Sequence, residues 1–390
     1  MSTVLNVPMV DLLAQHEEIR EEIREAMARV VESQHFIGGE EVEALEEKVA
    51  ALCGTTHAVA CASGTDALML SLEAAGVGPG DQVICPAYSF FATAGAIARL
   101  GAHPVFADVD PATLNMDPAS AYQAGARCGR LRALLPVDLF GRVAELSELL
   151  EFASAHDVVV VEDAAQAIAA RDDSGSPAGS RTHAGCFSFF PSKNLGAFGD
   201  AGIVTTSSDT LAERLRMLRN HGLGPDGQHH VVGTNSRLDA LQAAVLRVKL
   251  DHLEAWTKRR AENASFYDRH FRDAGGAATQ PAQGALPLAT PPPATAPARH
   301  AYNQYVVRVP GPVRDRLRDH LAERGIETRV YYERGLHREA CFAPASGSEL
   351  PALPETDRAC RENLALPVHP ALSPEQLGHV ATTIVDFLRR

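Results

Sequence analysis

The sequence predicts an α/β protein. A mostly parallel central sheet, with helices on both sides, leads into a small C-terminal α+β domain. Three observations predict this. Strands alternate with helices as far as about residue 206. Val158-Val159-Val160-Val161 marks a strand buried on both faces, as in a parallel sheet. The composition then changes at Gly275 to Ala298, which is Ala/Pro-rich, and a second set of elements follows.

The chain has 390 residues, 45% of them apolar and 22% charged, enough for a sizeable globular core. Its net charge of −13 argues against nucleic acid or an anionic membrane as the main partner. Met1 to Val10 lacks the basic-then-apolar pattern of a signal peptide, and no apolar run reaches membrane-spanning length. The seven cysteines are scattered without C-x-x-C spacing and read as reduced residues of a cytoplasmic protein. His229 and His230 are adjacent but lack the spacing and companions of metal ligands, so no metal is expected.

In chain order, residues 12 to 32 read as one amphipathic helix with Ile19, Ile23, Met27 and Val30 on one face. Gly38-Gly39 break it, and Val42, Leu45, Val49 and Leu52 begin a second helix. His57 to Ala62 reads as a strand, Ser63-Gly64-Thr65 as a turn and Asp66 to Ala75 as a helix. Such a helix start offers free N–H groups and hydroxyls, which either cap the helix or bind an anion. Gln82 to Cys85 is a strand, and Tyr88-Ser89-Phe90-Phe91 precedes a helix from Ala92 to Leu100. An aromatic there packs in the core or covers a flat ligand. Val105 to Asp108 and Arg132 to Val137 are further strands, and Ala144 to Ala155 is a helix.

The valine run ends in Glu162-Asp163, at the strand end where ligands bind in open α/β sheets. Gln166 shares a face with Asp163 if a helix starts there. Cys186 to Phe190 is a short buried strand that Pro191 ends. Lys193 follows in a Gly-flanked loop, either as a solvated surface lysine or as one whose amine attacks a carbonyl. Ile203 to Thr206 is a strand and Asp209 to Asn220 a helix. After a Gly- and His-rich loop, a long helix runs from Leu238 past Trp256. Beyond the Ala/Pro-rich stretch come a strand (Gln304 to Val309), a helix (Pro312 to Arg324) and a strand (Glu327 to Tyr332). The irregular run Glu333 to Pro367 precedes a last helix, Pro374 to Arg389. The division is a large domain over 1–270, a connection over 271–300 and a small domain over 301–390.

An amine, a strand-end carboxylate and an anion site together are what pyridoxal 5′-phosphate requires. The carboxylate keeps the pyridine nitrogen protonated, the amine meets the aldehyde, and N–H and hydroxyl donors hold the phosphate. No nucleotide-binding glycine motif competes.

Four motifs then carry a resemblance. They are Ala62-Ser63-Gly64-Thr65-Asp66-Ala67-Leu68, Glu162-Asp163-Ala164-Ala165-Gln166, Ser188-Phe189-Phe190-Pro191-Ser192-Lys193 and Asn235-Ser236-Arg237-Leu238-Asp239. The sequence resembles the DegT/DnrJ/EryC1/StrS family of pyridoxal-phosphate sugar aminotransferases, three-layer sandwiches of the aspartate-aminotransferase-like fold type I. The likeness extends from Ile37-Gly38-Gly39 to Leu366-Pro367. It implies that Lys193 is the Schiff-base lysine and proton shuttle, with Asp163 beside the pyridine nitrogen. It implies phosphate contacts at Gly64, Thr65 and Ser188, ring stacking by Phe90 and a contact of Gln166 near the ring hydroxyl. Asn235 matches a phosphate contact donated by the neighbouring subunit, which implies a homodimer with shared active sites. Arg237 is either a ligand of a substrate carboxylate or phosphate, or a salt bridge at the helix start. Tyr332 and His337 fall in the family's substrate-facing segment.

The implied reaction turns a C-3 or C-4 ketone of a nucleotide-activated sugar into an amine, with L-glutamate as donor, in amino-sugar biosynthesis. The motif around Asn235 is most like the 3-keto branch. One departure bears on the substrate. Where the family usually has Tyr-Pro-x-Pro-Leu-His, this chain has Tyr332-Glu333-Arg334-Gly335-Leu336-His337. Competing readings are a cyclitol aminotransferase without a nucleotide, and a cofactor-binding sensor that does not catalyse. Family dehydratases carry His in place of Lys193, and a sensor needs a partner module that the sequence does not display.

Overall fold

The computed structural model describes residues 5–277, 285–342 and 350–390. Helices α1 (Leu12–Glu18), α2 (Arg20–Ser33) and α3 (Glu40–Cys53) open the chain. The single helix expected over 12 to 32 is broken at Ile19, whose φ of −128° leaves helical geometry. The break lets Ile19 bury fully beside Ile23, Val245 and Trp256. That gain of apolar contact outweighs an unbroken hydrogen-bond ladder.

Seven strands form the main sheet: β1 (His57–Cys61), β2 (Gln82–Pro86), β3 (His103–Ala107), β4 (Leu131–Leu134), β5 (Val159–Asp163), β6 (Ala184–Ser188) and β7 (Gly202–Thr206). Their order is β1-β7-β6-β5-β4-β2-β3. Pairings from β3 through β6 are parallel. Strand β7 runs antiparallel to both β6 and β1. The sheet is therefore mostly parallel, as expected.

Helices α4 (Gly64–Ala74), α5 (Phe91–Arg99), α6 (Pro118–Gly125), α7 (Leu146–His156) and α8 (Asp209–Leu218) pack on its faces. Alternate residues of a strand serve opposite faces. Val161 packs with Leu68, Ile97 and Leu215 of α4, α5 and α8. Val160 packs with Ala121 and Leu149 of α6 and α7. By the same alternation Asp163 lies on the Val161 face and Glu162 on the other. Helix α6 was not legible as a helix. The Asp117-Pro118 start signal is present, and Asp117 caps Ala119 and Ser120, but the Ala-rich segment has no apolar period.

Helix α9 (Ala240–Asp273) has 34 residues. At about 1.5 Å per residue it is roughly 50 Å long. Its first half packs Ala243, Leu246 and Leu253 against the main sheet's core. Its second half gives Ala264, Tyr267 and Phe271 to a separate cluster around a two-stranded sheet. That sheet pairs β8 (Tyr305–Arg308) antiparallel with β9 (Asn363–Leu366). Helices α10 (Gly311–Ala322), α11 (Pro354–Glu362) and α12 (Pro374–Leu388) complete the C-terminal part.

Two expectations for this part are corrected. Glu327 to Tyr332 forms no strand and makes one isolated bridge, Arg329 to Ala365 of β9, because β9 takes the ladder beside β8. Strand β9 and α11 both lie in the stretch read as irregular, of which 343–349 fall outside the described residues. The Ala/Pro-rich connection packs partly into the C-terminal core. Residues 278–284 fall outside the described residues, but Leu288 is fully buried and Ala289 pairs with Arg308. Among the described residues no helix is long and apolar enough to cross a membrane.

Candidate active site

The C-terminal ends of the central strands open into a cavity of about 960 Å³. It is lined by Gly64, Thr65, Phe90, Asp163, Gln166, Ser188, Lys193 and Tyr332, eight of the residues singled out in the sequence.

Asp163 ends β5 and is 5% exposed. Its Oδ2 accepts a hydrogen bond from Thr93 Oγ1 at 2.8 Å, and Oδ1 accepts one from Ala165 N at 3.3 Å. Burial pushes its carboxyl above the usual range, while Thr93, Ala165 and nearby Lys193 pull it back. Thr93 was not found by sequence reasoning. It sits one helical turn after Ser89, whose Oγ lies 2.7 Å from Thr93 Oγ1, and only the fold brings that pair under β5. Thr93→Val keeps the shape and removes the donor. A hydrogen bond to a charged acceptor contributes about 1.5–3 kcal/mol, so a loss of turnover of roughly tenfold or more is expected in steady-state assays.

Glu162 faces away from the cavity. It accepts from Gly179 N and Thr182 Oγ1 and lies beside the buried carboxyl of Asp138. Burial and the Glu162 charge push the Asp138 carboxyl well up. The strand's pleat thus separates a structural carboxylate from a cavity-facing one.

Lys193 follows β6 in a tight loop. Its backbone N–H donates to Phe190 O at 2.8 Å, Ala197 N donates to Phe189 O at 2.8 Å, and Asn194 Nδ2 donates to Ala301 O at 2.7 Å. Gly196 is required here, since a Cβ would lie 2.3 Å from Pro191 O. No hydrogen bond from Lys193 Nζ occurs among the described residues, so the amine is free to meet a ligand. Desolvation lowers its pKa to about 8, with Asp163 opposing the shift. Below that pH the amine is protonated and cannot attack a carbonyl. Uptake of pyridoxal phosphate by cofactor-free protein should therefore accelerate with rising pH, with a midpoint near 8 in a stopped-flow absorbance series. A midpoint near an ordinary lysine value would show that burial does not tune this amine.

Helix α4 also begins at the cavity. Ser63 caps it by accepting from Asp66 N at 3.1 Å, while Gly64 and Thr65 open the first turn to the cavity. Gly64 packs on the end of β6, where a Cβ would lie 2.6 Å from Ser188 Cβ. First-turn N–H groups with the hydroxyls of Thr65 and Ser188 form an anion cradle of the kind a phosphate needs. Phe90, 58% exposed, covers another side, and its ring centroid is 6.4 Å from that of Tyr332.

Gln166 lies in a turn after β5, and no helix starts there, so the face sharing with Asp163 expected for a helix does not apply. The residue reaches the cavity differently. Its Oε1 accepts from Phe140 N at 2.6 Å, and its Nε2 donates to Tyr332 Oη at 3.3 Å.

Three expected contacts lie outside this chain's cavity. Asn235 is exposed on the segment before α9. Arg237 donates from Nη1 to Asn220 Oδ1 at 2.6 Å, so its partner near the helix start is an amide rather than a carboxylate. His337 is buried against Phe106, with Nε2 3.7 Å from Asp357 Oδ1, and is not among the residues that line the cavity. Ser89, Ser192, Asp200, Tyr331, Glu333, Arg334 and Glu339 line the cavity without having been singled out as site residues.

A parallel α/β sheet that brings a free lysine, a buried strand-end carboxylate and a helix N-terminus to one cavity defines a pyridoxal-phosphate enzyme of fold type I. The donor set fits that cofactor group by group. The chain belongs to the DegT/DnrJ/EryC1/StrS aminotransferase family, whose profile matches residues 17–385. It is similar to a pleiotropic regulatory protein of Geobacillus stearothermophilus, 43% identical over 385 residues and covering 99% of each chain. It is similar to the dTDP-3-amino-3,4,6-trideoxy-alpha-D-glucose transaminase of Streptomyces venezuelae, 41% identical over 387 residues, 98% of this chain and 97% of the relative. Among solved structures, S. venezuelae DesV in complex with a ketimine intermediate superposes with a TM-score of 0.89 at 40% identity, covering 99% of both chains.

Proposed function

We propose that this aminotransferase moves an amino group from L-glutamate to the C-3 ketone of a nucleotide-linked sugar, in amino-sugar biosynthesis. The observation that carries the reading is the convergence of Lys193, Asp163 and the α4 N-terminus on one cavity. The 3-amino sugar named for the Streptomyces relative and the motif from Asn235 to Asp239 both favour C-3.

Bound pyridoxal phosphate supplies a carbonyl that condenses with amines and a ring that withdraws electrons from the adjoining carbon. Gly64, Thr65 and Ser188 would hold its phosphate, Phe90 would cover its ring, and Asp163 would pair with its nitrogen. Gln166, fixed by Phe140 and Tyr332, would stand near its hydroxyl. Lys193 Nζ, neutral, would take the proton from the α-carbon of glutamate and return it to the carbon that was the cofactor's carbonyl; water would then supply the keto oxygen of 2-oxoglutarate, leaving the amino group on the cofactor. In the second half of the cycle the same amine works in reverse at the sugar's C-3. Tyr332 would border the sugar.

A second copy would complete the site with Asn235 and Arg237. Support for a dimer comes from exposed apolar side chains near the cavity and on that segment, among them Phe190 (51%) and Val232 (92%). The name of the Geobacillus relative keeps a regulatory reading in view. The test is an absorbance spectrum of reconstituted protein before and after glutamate, followed by 3-keto and 4-keto nucleotide sugars and free ring ketones. Loss of the lysine-bound cofactor band with glutamate, and its return with a 3-keto nucleotide sugar, is expected. Cofactor binding without any turnover would favour the regulatory reading instead.

A further inference from the structure

Arg334 stands at the variable position of the family's Tyr-Pro-x-Pro-Leu-His, between Glu333 and Gly335 where the prolines are gone, and it lines the cavity. Its turn is pinned on the C-terminal side. Leu336 N donates to Ala87 O at 2.7 Å, and Arg338 pairs with Asp357 through two contacts of 2.7 and 2.6 Å. Gly335 has no room for a side chain, since a Cβ would lie 2.7 Å from Thr356 Cγ2. The turn is thus rigid while the guanidinium it presents is loose. The Arg334 side chain is 62% exposed, and its nearest acid, Glu339, is 3.8 Å away, beyond hydrogen-bond reach. An exposed pair of that kind contributes little and exchanges readily for another oxyanion.

Charge along the cavity gives this meaning. Among the described lining residues, Lys193 and Arg334 are the cations, against Asp163, Asp200, Glu333 and Glu339. Lys193 is taken up by the chemistry. A substrate that brings phosphate or carboxylate oxygens past Asp200, Glu333 and Glu339 therefore meets one free fork of N–H donors, suited to two-point binding.

We infer that Arg334 is a specificity-determining residue that receives an oxyanion of the substrate, displacing Glu339. The oxyanion is either the diphosphate of the sugar nucleotide or the distal carboxylate of the amino donor. The inference rests on the proposed aminotransferase function, and its test has a readout apart from turnover. UDP and dTDP are titrated calorimetrically into cofactor-loaded wild type, Arg334→Gln, Arg334→Lys and Glu339→Gln, and KM for glutamate is measured in the first half-reaction. Loss of a charge-assisted two-point contact should weaken the affected ligand about tenfold or more in Arg334→Gln, with kcat changed far less. Arg334→Lys should retain part of the affinity, and Glu339→Gln should tighten binding by roughly two- to fivefold as its competing charge goes. A shift in the nucleotide arm identifies the diphosphate, and a shift in glutamate KM identifies the carboxylate. If Arg334→Gln leaves both within twofold of wild type, the inference is overturned. A wild type that binds UDP yet transaminates nothing would overturn the functional reading alone, and the titrations would still judge Arg334.

Discussion

Lys193→Ala is expected to abolish turnover, lowering kcat/KM by about 10⁴-fold or more, because a general base of this kind contributes roughly 10²–10⁴ and its orientation adds to that. The fold supplies no substitute. The other titratable groups lining the cavity are the carboxylates Asp163, Asp200, Glu333 and Glu339, the guanidinium of Arg334 and the phenols Tyr331 and Tyr332. Burial pushes both phenols up, further from a working base. The variant should still fold. Lys193 makes no side-chain hydrogen bond among the described residues, and the loop is fixed through its backbone and Asn194. The melting temperature should thus stay within a few degrees of wild type, while the absorbance band of lysine-bound cofactor disappears. The site should remain open to small primary amines, so methylamine should restore part of the glutamate half-reaction. Retention of more than about one hundredth of wild-type turnover would remove Lys193 from the role of base.

Much of this site was readable because its parts are local. Lys193 comes just after a strand that Pro191 ends, Asp163 closes a run of valines, and Gly64-Thr65 begins a helix, so each carries its geometry in adjacent residues. What was not readable depends on distant pairing. Thr93 acquires its meaning from β5, 70 residues away in sequence. Gln166 sits in a turn, and the expected helical face was the wrong route to the right cavity. His337 lies in a segment whose departures from the family pattern coincide with its burial beside Asp357. The same limit applies to the fold. Strand β9 is four residues long and is a strand only because β8 lies beside it. Residues 327 to 332 have β-prone side chains but meet β9 only at the bridge from Arg329 to Ala365. Helix α1 and α2 share one apolar period, and the break at Ile19 follows from Trp256 on α9, which no local pattern announces.

Asp163→Asn should separate catalysis from stability. The substitution keeps the shape, and the amide oxygen still accepts from Thr93 Oγ1. It removes the charge that would hold a proton on the ring nitrogen, so kcat is expected to fall by about 10²–10⁴ in glutamate half-reaction kinetics, the range of a lost proton-holding group. Stability should move the other way. The Asp163 carboxyl has a raised pKa in the folded, cofactor-free protein, chiefly through burial. A group of that kind binds its proton more tightly folded than unfolded. Stability therefore falls as pH rises from the ordinary carboxylate range through the folded value, and the penalty persists at neutral pH. Asn carries no such penalty, so cofactor-free Asp163→Asn should melt at or above the wild-type temperature near pH 7. Pyridoxal phosphate should raise the melting temperature of wild type more than that of the variant, because the protonated ring nitrogen would give the buried carboxylate a partner that the amide does not need. A cofactor-free variant that melts well below wild type would make Asp163 a structural residue first, and the loss of activity would then say nothing about the ring nitrogen.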